Sequence, residues 1–184
     1  MIEIIKVYKQ SVNKLRFIGK KYDNANRVDG SFGVKVKWDE WFEHNWFKII
    51  EDNISSNYND TFEDGNAYIG LLRNKPKEPF QYWIGMFTPE NTQVPIGFKH
   101  IDFPKSELGV CWVCGKKEHV CFNEGIEIFE QCNEKLKNEG MDHIHDNENV
   151  YWIFERYSHT RSKVQDENGK IIIDICCFLH FDIL

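Results

Sequence analysis

An α+β domain built from two halves, each running strand–strand–helix–strand–strand, is the fold class this sequence predicts. Two observations carry it. The apolar period switches from two residues to about 3.6 and back again, twice and in the same order, and clusters of Gly, Pro, Asn and Asp fall between the segments. At 184 residues the chain is sized for one domain, large enough to bury roughly 70% of its unfolded surface. The halves cover about residues 1–90 and 91–184. Their residues differ almost throughout, so the repeat is one of pattern and predicts a pseudo-twofold arrangement.

The first strand spans Ile2 to Tyr8 and the second Lys14 to Gly19, where Leu15, Phe17 and Gly19 alternate with charged neighbours. After the Asn- and Asp-rich stretch Asp23–Gly30, the period becomes helical from Val34 to Ile50. Trp38, Trp41, Phe42, Trp46, Ile49 and Ile50 recur at three- and four-residue spacings, and Ser31 is a candidate N-cap. Ile54–Gly65 is a loop by composition. Asn66–Leu72 and Phe80–Phe87 are strands, joined by Lys75–Pro79, since Pro is excluded from central ladder positions. Pro89–Pro95 is a loop.

In the second half, Phe98–Phe103 and Gly109–Cys114 are strands bridged by Pro104–Glu107. A helix runs from Glu124 to Lys137 with Ile126, Phe129, Cys132 and Leu136 on one stripe and Gly140 as its stop. Val150–Tyr157 and Lys170–Leu179 are the last strands.

Composition narrows the function. A net charge of −6 opposes direct nucleic-acid binding, which needs a clustered basic surface, and no helix-turn-helix pattern is visible. No apolar stretch is long enough to span a bilayer, so no membrane partner is expected. Ile2–Val7 alternates like a strand and lacks a basic n-region and apolar h-region. The six Cys are read as reduced thiols, and the expected location is cytoplasmic. Aromatic residues make up 15% of the chain, which fits either a Phe- and Trp-built core or an aromatic-lined cavity.

Two late strands each hold a carboxylate among β-branched and aromatic residues, namely Glu155 and Asp174. Burying either costs several kcal/mol, about 2–7 for a polar group and more for a charge, unless a cation, a donor or a ligand compensates it. A structural salt bridge from Glu155 to Arg161 or Lys170 is one reading. A pocket for flat cationic molecules is the other, and there the carboxyl has a raised pKa until a cation arrives.

Four stretches resemble a known family. They are Asn66-Ala67-Tyr68-Ile69-Gly70 with Phe80-Gln81-Tyr82-Trp83-Ile84-Gly85; Val94-Pro95-Ile96-Gly97-Phe98 with Ile101-Asp102-Phe103-Pro104; Gly109-Val110-Cys111-Trp112 ahead of Gly115; and Phe154-Glu155-Arg156-Tyr157. In this order they resemble the GyrI-like (gyrase-inhibitor-like) effector-binding domains, found alone and attached to DNA-binding regions in AraC- and MerR-type regulators. The resemblance covers most of the chain from residue 66 onward. It implies an antiparallel sheet with helices on one side and a central ligand groove between the halves. It also implies that Glu155 is the countercharge for lipophilic cations, as in multidrug-binding relatives, with Asp174 as a second acidic group. Tyr157 shares Glu155's strand face, as do Ile153 and Tyr151. Tyr68, Tyr82, Trp83, Trp112 and Trp152 are candidate walls, with strand parity left open. The missing DNA-binding region, the long Asp52–Gly65 loop and the Trp-heavy first helix depart from the family; the last two would narrow or cap the groove.

Other chemistry has weaker signals. Cys111-Trp112-Val113-Cys114 has the spacing of half a zinc site, with His119, Cys121 and Cys132 as further candidates. Positions three apart on a strand face opposite ways, so no metal is expected, nor from His143 and His145. Gly30–Gly33 is a turn, with no Lys/Ser partner for phosphate. No Ser-His-Asp order, phosphate-cradling loop or His-Glu-x-x-His motif occurs, and no cofactor is implied. Three hypotheses stand: a stand-alone binder of hydrophobic or cationic small molecules, for sequestration or sensing; a hydrolase of strained or electrophilic compounds with Glu155 and Tyr157 as catalytic residues; and a protein-interaction module with a protein partner.

Overall fold

The computed structural model describes residues 2–23, 33–54, 63–121 and 127–181. Among these residues lie eight strands and four helices, in the order β1 (Glu3–Val12), β2 (Leu15–Tyr22), α1 (Val34–Glu43), α2 (Trp46–Glu51), β3 (Tyr68–Asn74), β4 (Gln81–Pro89), β5 (Lys99–Phe103), β6 (Ser106–Lys116), α3 (Lys117–Val120), α4 (Glu127–Asn138), β7 (Tyr151–Tyr157) and β8 (Lys170–Phe181). The strands form one sheet in the order β1-β6-β8-β7-β3-β4-β2-β5, and every neighbouring pair is antiparallel. Reading outward from the central β7–β3 seam, the two sides run 3-4-2 and 7-8-6. The first strand of each half is exchanged to the far edge of the other. The α+β pseudo-twofold architecture is the one the pattern predicts.

The sheet is strongly curled. β1 and β2 stand six strand positions apart, about 29 Å if the sheet were flat, yet only Asn13 and Lys14 link them. Two residues span at most about 11 Å between flanking Cα atoms. Pro104 and Lys105 impose the same closure between β5 and β6. Opposite corners of the sheet therefore meet, and Phe103 of β5 stacks on Phe178 of β8 with ring centroids 4.9 Å apart. Phe17, Phe87, Phe154 and Trp152 fill the same concave face. The helices cover the other face, where Trp38, Trp41, Phe47, Ile50, Ile128, Cys132 and Leu136 pack on Ile18, Ile84, Met86, Val113 and Ile173. With both faces buried, β4 and β8 are near-continuous apolar runs instead of alternating ones.

Several element bounds differ from the sequence expectation. β1 continues to Val12, because Gln10 and Val12 are still buried on the curled face. β6 begins at Ser106, which reduces the expected bridge to two residues. The single helix expected over Val34–Ile50 is two helices, broken at Asn45, whose φ of 52° lies in the left-handed region that Asn tolerates better than most side chains. The break rotates the apolar stripe: Phe47 and Ile50 are buried, whereas Phe42 and Ile49 are exposed. Gly33, with φ 55°, precedes α1 in the cap position; Ser31 lies outside the described residues, as does Ile126. In α4 Ile128 is buried and Phe129 only partly so, while Gly140 (φ 73°) ends the helix with the Met141 amide bonded to the Leu136 carbonyl. The four-residue α3 was too short for any period to announce. No helix among the described residues is long and apolar enough to cross a membrane.

Candidate functional site

Strand β7 sorts its side chains by alternation. Ile153, Glu155 and Tyr157 face the helices, while Trp152, Phe154 and Arg156 face the concave side. Glu155 is 3% exposed and sits opposite Gly70 on β3, at the seam between the halves. Its carboxylate reaches past β3 to β4. The Tyr82 hydroxyl donates to Glu155 Oε2 at 2.9 Å, and the Tyr157 hydroxyl donates to the same oxygen at 3.1 Å. Trp38 of α1 donates its Nε1–H to the Tyr82 hydroxyl at 2.9 Å, and its ring lies edge-on to Tyr157 at 4.8 Å.

Among the described residues, no Lys or Arg forms an ion pair with Glu155 and no group donates to Oε1. Burial therefore raises the carboxyl to about 7, against the opposing pull of the two tyrosine hydrogen bonds. The same burial, reinforced by the Glu155 charge, pushes the Tyr82 phenol well above its usual value and the Cys121 thiol up to about 12. Alongside, Trp41 Nε1–H donates to the Tyr22 hydroxyl at 3.0 Å, a second tie between α1 and the sheet. Tyr22→Phe would leave that buried indole N–H unpaired, and a loss of about 1–2 kcal/mol is expected from urea denaturation midpoints.

The structure divides the eight sequence-predicted residues. Glu155, Tyr157 and Tyr82 form one hydrogen-bonded cluster. Tyr68 is next to it on the helix side, paired with Tyr157 across the strands and stacked on Phe47 at 3.7 Å, with its hydroxyl donating to Glu51 at 3.4 Å. Trp83, Trp152, Trp112 and Asp174 belong to the opposite face. Trp83 packs edge-on to Phe17, Trp152 donates to Asp146 at 2.8 Å, and Trp112 lies beneath the cations of Lys6 and Arg161.

Asp174, expected as the second acid of the groove, is fully buried on the concave side and bound by Arg156 Nε at 2.7 Å and Arg161 at 2.6 Å. Two arginines already compensate it. Arg161, one candidate salt-bridge partner for Glu155, is thus committed to Asp174 and Asp64. Among the described residues no cluster of three or more metal-ligating side chains forms.

Two site residues escaped the sequence reading as such. Trp38 stood only as one member of a helical stripe. Gly70 had a signal: a glycine inside a strand often marks close approach of another group.

Comparison with protein-family models and with curated sequences gives no match. Solved structures do match over nearly the whole chain. SAV2435 bound to tetraphenylphosphonium superposes with a TM-score of 0.63 at 12% identity, covering 96% of this chain and 94% of that one. A putative transcription regulation protein from Staphylococcus aureus MU50 gives 0.60 at 12% identity, with 95% and 98% covered. The fold is GyrI-like. A Vibrio cholerae integron cassette protein, VCH_CASS2, shares it at a TM-score of 0.50 and 10% identity, with 97% and 99% covered. Within this GyrI-like fold the β3–β7 seam is the junction of the halves, and over it lies the one carboxylate that, among the described residues, is buried without a protein cation.

Proposed function

We propose that the chain acts as one ligand-binding domain for hydrophobic or cationic small molecules, with Glu155 as countercharge and Tyr157, Tyr82 and Tyr68 as its polar and aromatic surround, in sequestration or effector sensing. The observation that carries this reading is the Glu155 carboxyl, buried and, among the described residues, without a Lys or Arg partner or a hydrogen bond to Oε1. A carboxylate in such a setting gains most from a ligand that brings its own charge. The bound tetraphenylphosphonium in the structural neighbour SAV2435 supports the same ligand class.

Titration calorimetry with tetraphenylphosphonium and the neutral triphenylphosphine oxide tests it. Glu155→Gln is expected to weaken the cation by at least about tenfold, or 1.4 kcal/mol, and to leave the neutral compound unchanged. Equal losses for both would sink the countercharge role.

A carboxyl raised to about 7 is also suited to general-base work, which favours hydrolysis of electrophilic compounds as the second reading. In that case Glu155→Gln keeps ligand affinity and abolishes turnover.

A further inference from the structure

Three glycines on β2, β3 and β4 behave differently when a methyl is imagined on each. At Gly19 and Gly85 a Cβ would strike backbone carbonyls, Ile84 O at 2.3 Å and Ile18 O at 2.1 Å, so these two mark close packing of β2 on β4. At Gly70 the contacts are of another kind. A Cβ there would lie 2.4 Å from the Tyr82 hydroxyl oxygen, 2.7 Å from Glu155 Oε2 and 3.1 Å from Tyr82 Cζ. These are the atoms that hydrogen-bond to each other above it. Gly70 pairs with Glu155 on one side and with Ile84 on the other, so a carboxylate reaching from β7 toward β4 has to pass over its Cα.

We propose that Gly70 is the positioning residue of the site: its bare Cα is the floor across which Glu155 reaches Tyr82, which fixes one carboxylate oxygen between two phenols and leaves the other open to a cation. This rests on the reading of Glu155 as countercharge. The position determines the electrostatics as well as the geometry. Among the described residues, Tyr82, Tyr157 and Cys121 are the titratable groups that face or sense the carboxyl, with Tyr22 sensed through Tyr82, and none of them is a cation at neutral pH. Moving the carboxylate off this floor breaks the Tyr82 bond and changes both its solvation and its reach. The three atoms nearest a methyl at residue 70 are side-chain ends, so the expected consequence is displacement of the site more than collapse of the strand.

The test is a titration of the Glu155 side-chain carboxyl by ¹³C NMR in wild type, Gly70→Ala, Tyr82→Phe and the double variant, alongside tetraphenylphosphonium binding. Gly70→Ala is expected to move the Glu155 midpoint by about one pH unit and to weaken the cation about tenfold. In the Tyr82→Phe background, where the nearest colliding atom is gone, the same methyl is expected to do much less. An unchanged midpoint in Gly70→Ala, or equal effects in both backgrounds, would overturn the proposal. Should Gly70→Ala alone not fold, a folded double variant supports the floor, and an equally unfolded one overturns it. The NMR titration needs no ligand, so failure of the wild type to bind any cation would remove the countercharge reading without deciding the role of Gly70.

Discussion

Glu155→Gln is expected to be more stable than the wild type above pH 7, by about 3 kcal/mol. The carboxyl titrates near 7 in the folded chain and near the ordinary 4.5 when unfolded. Between those values the folded state holds the extra proton, so stability falls as pH rises. The contribution is fully present below about pH 4.5 and is lost by the time pH passes 7. At 1.36 kcal/mol per unit the difference amounts to about 3 kcal/mol. Gln mimics the protonated form and stays neutral, so its urea-denaturation free energy should lack this decline. Parallel curves for the two proteins from pH 5 to 8 would mean that Glu155 ionises like a solvated carboxylate. The same titration governs ligand binding: tetraphenylphosphonium affinity should fall about tenfold per unit below pH 7 and level off above it. A site that costs stability while empty is the usual relation between binding function and fold.

Asp174→Ala should be the more damaging change, and in a different way. Asp174 is fully buried and receives Arg156 and Arg161 on one side chain, while Arg156 also holds Gln10 at 2.7 Å and is itself fully buried. Removing the carboxylate leaves a guanidinium without compensating charge, at a cost of about 3–5 kcal/mol. Because the residue faces away from Glu155, tetraphenylphosphonium affinity measured at low temperature should stay within about twofold of wild type, well under 1.4 kcal/mol. A loss of cation binding at retained fold would return Asp174 to the site.

The two acids illustrate what the sequence could and could not convey. Both stood out as carboxylates in strands of aromatic and β-branched residues, and strand alternation placed Tyr157 beside Glu155. Which face of β8 carries Asp174 depends on register against β7, where Arg156 and not Glu155 stands opposite it, and register is set by pairing across the sheet. Trp83, Trp112 and Trp152 were ambiguous for the same reason, since both faces are buried and polarity gives no parity signal. The order of elements was readable because each keeps its own period. The break at Asn45 was not, because the apolar residues on either side continue a helical spacing straight through it.

The exchange of first strands between the halves also has a consequence in time. Among the described residues β1 finds its one strand partner in β6, where Glu3 meets Cys114, roughly a hundred residues further along the chain. At about 5–20 residues per second of synthesis, the earliest strand to be made waits some 5–20 s for its neighbour. Neither half can be complete alone, and so many distant pairings predict slow folding. During that wait a ten-residue strand has both edges bare, and Glu3, Lys6 and Lys9 are the charges on it that discourage pairing with another chain.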